Sequence, residues 1–332
     1  MNRKSINSVL KRKFNDWIKS IDDEVVKKDI QENTIITGGA ITSLLLNEDP
    51  KDFDVYFTNK QTVKRVAKYY VEKFNNKQGK LKNRIGYMNK AFVLDGAIPI
   101  EGQLTDAGQD YNWQSRMINN LSDDRVKIIV RSDGCTTESG AIDTSEDFED
   151  VYDVVEHSDQ ISAEDGMPAI DDGEKYRPVF LSPNAITLSN QIQLVIRFYG
   201  NAEEIHSNYD YAHCTNYWES STGKTILRPE AVESTLTRHL QYTGSLYPVC
   251  SIIRMRKFIK RGWHINAGQI LKMVFQASQL DLTNIDVLEE QLVGVDTAYF
   301  MNLIESLQKK QDNDPNFVIT NDYICSIIDV IF

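Results

Sequence analysis

The sequence predicts an α+β protein: a mixed β-sheet flanked by helices, interrupted by an acidic insertion and followed by an all-helical C-terminal domain. Three observations predict it. Up to residue 131, short β-branched runs alternate with segments of helical period. Between Ser132 and Glu174 there are 15 Asp or Glu and no Lys or Arg. From about Arg228 onward, helical spacing runs almost throughout. A chain of 332 residues with 41% hydrophobic content can bury a substantial core in two domains. The expected boundaries are 1–131 with 175–227 for the sheet domain, 132–174 for the insertion and 228–332 for the helical domain.

In chain order, Ile6 to Lys28 places Val9, Leu10, Phe14, Trp17, Ile18 and Ile21 at helical spacing, which predicts one amphipathic helix or a pair covering a sheet face. Thr34-Ile35-Ile36-Thr37 reads as a short strand, and Gly38-Gly39 as a tight turn that allows close backbone approach. Ala40 to Leu46 reads as a helix. Asp52-Phe53-Asp54-Val55-Tyr56-Phe57 alternates as a half-buried strand, with Asp52 and Asp54 on one face. Gln61 to Phe74 is a further helix. Ala91 to Leu94 and Val126 to Val130 are strands that elaborate the same sheet; Asp95 and Glu101 lie near them with nothing to mark either as catalytic. Ala185 to Leu188, a turn at Ser189-Asn190, and Gln191 to Phe198 form a hairpin.

The net charge of −11 comes from the acidic stretch, because outside it 33 acids stand against 37 bases. That stretch reads as an extended insertion with one short helix around Glu146 to Glu156. It can mimic nucleic acid or dock a phage or host protein; the plainer reading, a solubilising loop, is preferred. The helical domain is expected over Ala231–Tyr242 behind Pro229, Tyr247–Arg261 ending at Gly262, Ala267–Gln279, Asn284–Val293 and Thr297–Lys309. Within it, Arg254, Lys257 and Arg261 share one helical face, with Arg256 and Lys260 beside them. Tyr242, Tyr247, Phe258 and Trp263 are interleaved and could stack on bases. On the plainer reading the cations face solvent while Ile252, Ile253, Phe258 and Ile259 face the core. The four cysteines and five histidines show no metal-ligand spacing. No apolar run is long enough to span a bilayer, and the first residues do not lead into a signal-like stretch, so a soluble cytoplasmic protein is expected.

Two carboxylates at the spacing of Asp52 and Asp54 repel unless a cation sits between them or the face is well solvated, as on the many exposed strands where Asp-x-Asp occurs by chance; Mg²⁺ accepts carboxylate and phosphate oxygens together. The N–H groups at the start of the helix after Gly39 would face an anion. With the Gly38-Gly39 turn and the intervening helix, Asp52-Phe53-Asp54 resembles the signature of the polymerase-β-type nucleotidyltransferase superfamily, in particular its CCA-adding and poly(A) polymerase branch. The resemblance implies a nucleotidyltransferase-like sheet, Gly38 and Gly39 as phosphate contacts assisted by Thr42 or Ser43, and Asp52 and Asp54 as ligands of two Mg²⁺ ions. It implies ATP or another NTP as substrate, with tRNA or other RNA favoured as acceptor and Arg254, Lys257 and Arg261 on the triphosphate or RNA. The family's third carboxylate would stand where this chain has Gln193; Asn208 to Cys214 resembles the segment after that strand in several members, which makes Asp210 the substitute candidate for a catalytic role, beside the plainer reading of an Asp that closes a turn or caps a strand. Tyr242 to Pro248 more loosely resembles nucleotidyltransferase-like proteins of tailed bacteriophages, which implies work in an infected bacterium or in the virion. The expected function is Mg²⁺-dependent nucleotidyl transfer to an acceptor hydroxyl. The alternative is a catalytically weak or inactive relative with a binding or virion structural role; a transferase toxin or defence factor acting on tRNA or a host protein is a third reading.

Overall fold

The computed structural model describes residues 1–85, 91–96, 98–99, 125–130, 136–137, 140–141, 174–182, 184–292 and 318–331. They fall into two units: one drawn from 1–142, 157–206 and 216–228, the other from 207–215 and 229–332.

The first unit opens with α1 (Arg3–Lys19), whose N-cap Asn2 side chain accepts from Ser5 N, and α2 (Glu24–Asn33), whose N-cap Asp23 accepts from the amides of Val25 and Val26. The predicted amphipathic stretch is thus a pair of helices. Then come β1 (Thr34–Thr37), α3 (Gly39–Leu46), β2 (Phe53–Phe57) and α4 (Lys60–Ile85), the last longer than its apolar spacing suggested. After β3 (Ala91–Asp95), β4 (Ile98–Pro99) and β5 (Val126–Val130) come the two-residue strands β6 (Thr136–Thr137) and β7 (Gly140–Ala141). The unit continues with β8 (Pro178–Leu181), β9 (Ala185–Leu188), β10 (Ile192–Tyr199), α5 (Ala202–His206), β11 (Tyr217–Glu219) and β12 (Lys224–Ile226).

Among the described residues, nine strands form one sheet in the order β12-β11-β1-β2-β10-β9-β8-β6-β7. The sheet is mixed: β2 and β10 run parallel and the other pairs antiparallel. The predicted hairpin is β9 and β10, with Asn190 and Gln191 at φ 63 and 60° in its turn. The strands over Ala91–Asp95 and Val126–Val130 do not extend this sheet as expected. They pair with each other along their whole length and make a separate three-stranded sheet with β4, which satisfies their backbone groups without it. Asp95 is held there by Lys60 and Lys64 at 2.7 and 2.5 Å.

Alternation on the strands decides which face is dry. Phe53, Val55 and Phe57 of β2 and Ile192, Leu194 and Ile196 of β10 join one core with Ile6, Leu10, Phe14, Trp17 and Ile18 of α1 and Val63, Val66, Ala67 and Tyr70 of α4. Trp17 Nε1 donates to Tyr70 Oη at 2.7 Å inside it, so the buried indole keeps a polar partner. Asp54 and Gln193 have the opposite parity and fall on the other face.

The second unit contains α6 (Pro229–Thr237), α7 (Pro248–Lys260), α8 (Ala267–Ala277), α9 (Ile285–Leu292) and α10 (Asn321–Ile331). Helix α6 stops five residues earlier than its apolar spacing suggested. Arg238 has φ 50°, and the residues after it pair as bridges, Tyr211 with Tyr242 and His239 with His264. Helix α10 was not anticipated. Most of the acidic run 132–174, its predicted helix near Glu146–Glu156, Glu101 and the predicted helix Thr297–Lys309 lie outside the described residues.

Candidate functional site

The strands bring a polar row together on the face away from the core. Register sets Tyr217 of β11 beside Thr37 of β1, Thr37 beside Asp54 of β2, Asp54 beside Gln193 of β10, and Gln193 beside Thr187 of β9. Directly paired residues project to the same side of a pleated sheet, so these five side chains line one strip. The sequence showed each residue but not the row, because register is a property of strand order.

Gly38 explains the close packing at the centre of this strip. It caps α3 with φ 88°, and a Cβ there would lie 2.4 Å from Asp54 Oδ2 and 3.3 Å from its Cγ. The glycine is therefore required by the approach of Asp54 to the helix start, where negative charge is favoured. Gly39 is different: a Cβ would meet nothing within 4 Å. Strand β2 begins at Phe53, whose amide donates to Gln191 O at 2.8 Å, and Asp52 stands just before it, exposed. Thr42 and Ser43 are buried in α3.

Beside the strip, Thr37 Oγ1 donates to Asn216 O at 2.9 Å and lies 2.8 Å from His206 Nε2. Burial, helped by the nearby Arg228, pulls the His206 imidazole down to about 3, so the ring is neutral. Arg228 is itself paired with Glu203 and lies over the Tyr217 ring. Periodicity gave no signal for this cluster; the histidine and its threonine are far apart in sequence.

In the second unit, Asp210 is buried and its Oδ2 accepts from Arg254 Nη1 at 2.6 Å. The carboxylate expected to replace a third catalytic one is thus committed to an ion pair with a residue expected to hold phosphate. Lys257 and Arg261 are exposed on α7 and the turn after it. The aromatics expected to stack on bases mostly pack inward. Tyr242 is buried with its hydroxyl donating to Gln276 Oε1 at 2.5 Å, and Trp263 and Phe258 close on the His213 ring at 4.3 and 4.6 Å between centroids. Desolvation in that aromatic cluster brings His213 down to about 3. Ile252 and Ile259, expected in the core, are exposed, whereas Ile253 is buried.

Among the described residues no three His, Cys, Asp or Glu side chains gather as a metal-ligand group. Also among them, no helix is long and apolar enough to cross a membrane.

The family model described as "Gabija anti-defense 2 family protein" matches residues 8–238, more than two thirds of the chain. A protein named "Gabija anti-defense 2", from Bacillus phage SPbetaL7, is 20% identical over 140 residues, which is 42% of this chain and 34% of that relative. The aligned stretch therefore spans about a third of the relative's own length. No solved structure matches. These findings correct the expected membership of the nucleotidyltransferase superfamily, and with it the expected nucleotidyl transfer and the ATP, NTP and RNA binding. The signature covered about twenty residues by the count of its own motif and specified only a strand, turn, helix and strand, a local arrangement that many sheets can adopt. The residue in register beside Asp54 is the neutral Gln193, and Gly38 is accounted for by packing against Asp54. Of the broader expectations, the phage connection is the one the comparisons support. On a match of this extent, the chain belongs to the Gabija anti-defense 2 family.

Proposed function

We propose that this protein is a phage anti-defence factor that acts by contact with a protein of the host's Gabija defence, in the cytoplasm of the infected bacterium. The observation that carries the reading is the family match over residues 8–238, which takes in nearly all of the first unit. The geometry supports contact over chemistry. Asp54 is flanked by Gln193 and Thr37, and neither neighbour adds charge or can act as a base. Asp210 is neutralised by Arg254. A divalent ion at Asp52 and Asp54 is an expectation for which Mg²⁺ titration calorimetry, run beside Asp52→Ala/Asp54→Ala, is the test; the proposed contact does not depend on it.

The test of the function is phage plating on a bacterium carrying the Gabija defence, with and without this chain, together with binding of the purified chain to the purified defence proteins. Rescue of plating together with direct binding is expected. The Asp52→Ala/Asp54→Ala variant is expected to bind and rescue like the parent. A variant that is folded and binds normally but no longer rescues would sink the contact mechanism in favour of chemistry at those aspartates.

A further inference from the structure

The histidines have no ligand spacing along the chain, yet the second unit sets two of them side by side. His239, just past the end of α6, and His264, in the turn between α7 and α8, pair as a parallel bridge. Leu240 N donates to His264 O at 2.8 Å and His264 N donates to Arg238 O at 3.0 Å, so the two backbones are clamped together at this point. His239 is also held by Ser234: its amide donates to Ser234 O at 3.0 Å, and its carbonyl accepts from Ser234 Oγ at 2.5 Å. Bridged residues project to the same side, and the two rings stack with centroids 5.1 Å apart and planes 29° from parallel.

His239 Nε2 is shut from solvent and has no hydrogen-bond partner among the described residues, a condition that buried polar atoms rarely keep. His264 is exposed, so its ring is free to turn. A late first-row metal sits about 2.0–2.1 Å from an imidazole nitrogen, so two nitrogens on one ion stand about 3–4 Å apart. Rings with centroids at 5.1 Å reach that separation when the exposed one tilts an edge toward the other, and the clamped backbone need not move.

The donors select the ion. Neutral imidazoles suit Cu²⁺, Ni²⁺ and Zn²⁺, whereas Mg²⁺ and Ca²⁺ need oxygen ligands. From Ser234 to Leu280 the chain has no Asp or Glu, so this stretch offers no carboxylate. The adjoining Arg238, whose Nη1 donates to Arg261 O at 3.0 Å, adds positive charge that weakens every cation and favours those that imidazole binds most strongly.

We propose that His239 and His264 form a bidentate site for a late first-row divalent ion, Cu²⁺ binding most tightly, which clips the end of α6 to the turn before α8. The site follows residue 238, where the family match ends, and does not rest on the contact function proposed above.

The test uses the tag-free full-length chain, titrated with Cu²⁺, Zn²⁺ and Mg²⁺ by calorimetry and followed by Cu²⁺ electron paramagnetic resonance. One Cu²⁺ per chain, hyperfine structure from two nitrogens, and a higher melting temperature with Cu²⁺ or Zn²⁺ are expected. His264→Ala, at an exposed position, should lower Cu²⁺ affinity at least about 10-fold, since losing even an outer-shell partner of a ligand costs that much, and should leave one coupled nitrogen. His239→Gln should do the same, and melting of both variants without metal checks that they remain folded. Mg²⁺ heats should not respond to either variant. Cu²⁺ uptake and a melting shift that persist unchanged in both variants mark an adventitious ion only and overturn the proposal. A parent chain that takes up neither Cu²⁺ nor Zn²⁺ overturns it as well.

Discussion

Helices α1 and α8 are both amphipathic, yet one spends its apolar face on its own unit and the other does not. In α1, Ile6, Leu10, Phe14, Trp17 and Ile18 are all buried, and the indole is hydrogen-bonded inside the core. In α8, Met273 is buried while Leu271, Val274 and Phe275 face solvent. Amphipathic spacing in a sequence states that a face must be covered, and the difference between these helices shows that it does not state by what.

The sharpest way to break this comparison is to truncate one side chain in each helix. Trp17→Ala removes a buried ring and strands the Tyr70 hydroxyl, so it should cost about 3–5 kcal/mol in urea unfolding. Phe275→Ser should cost within about 0.5 kcal/mol, since that side chain is 62% exposed. Equal losses would mean that α8 is packed as α1 is.

A smaller loss is expected where charge rather than bulk is buried. Arg254→Met leaves Asp210 as a buried carboxylate without its ion-pair partner and should destabilise the second unit by about 2–3 kcal/mol, at or below the lower end of the range for broken buried pairs because the Arg254 side chain is 36% exposed. The double variant Asp210→Asn/Arg254→Met should recover part of that loss in the same unfolding assay. Next in size is Gly38→Ala, which forces a Cβ against the Asp54 carboxylate at positive φ and should cost about 1–3 kcal/mol by thermal melting. Asp54→Gly in the same background should return some of it by removing the obstacle.

A separate effect is on pH. His206 and His213 both stand near 3 in the folded protein against an ordinary 6.5, so below 6.5 the unfolded chain binds protons that the folded chain refuses. Their contribution to stability is complete above pH 6.5 and is lost progressively as pH falls from there toward 3. Melting temperatures over that window should decline, and His213→Phe should decline less steeply.

The fold was legible wherever it is local. The β-branched run Thr34–Thr37, the alternation of Phe53–Phe57 and the hairpin through Asn190 all announce themselves within a short stretch of chain. What escaped depends on partners distant in the chain. Arg254 lies 44 positions from the carboxylate it neutralises, and the row from Tyr217 to Thr187 exists only once five strands are in order. The end of α6 was misplaced because Tyr242 answers to Tyr211 rather than to its own helix. At the candidate site Asp52, Asp54 and the glycines were visible as a motif, but what the motif serves was not. Gly38 read alone suggests an anion above it, and only the coordinates show that the nearest anion is the protein's own.

The parallel pairing of β2 with β10 has a consequence for how the molecule is made. On a ribosome, β2 emerges long before Ile192–Tyr199, and until then one side of it is an open edge whose amides and carbonyls await a strand not yet synthesised. Closing that gap is an entropic charge that grows only as the logarithm of the intervening length. A lengthy acidic stretch can therefore interrupt the sheet between these strands at little thermodynamic penalty, but it delays the moment at which the centre of the sheet is sealed.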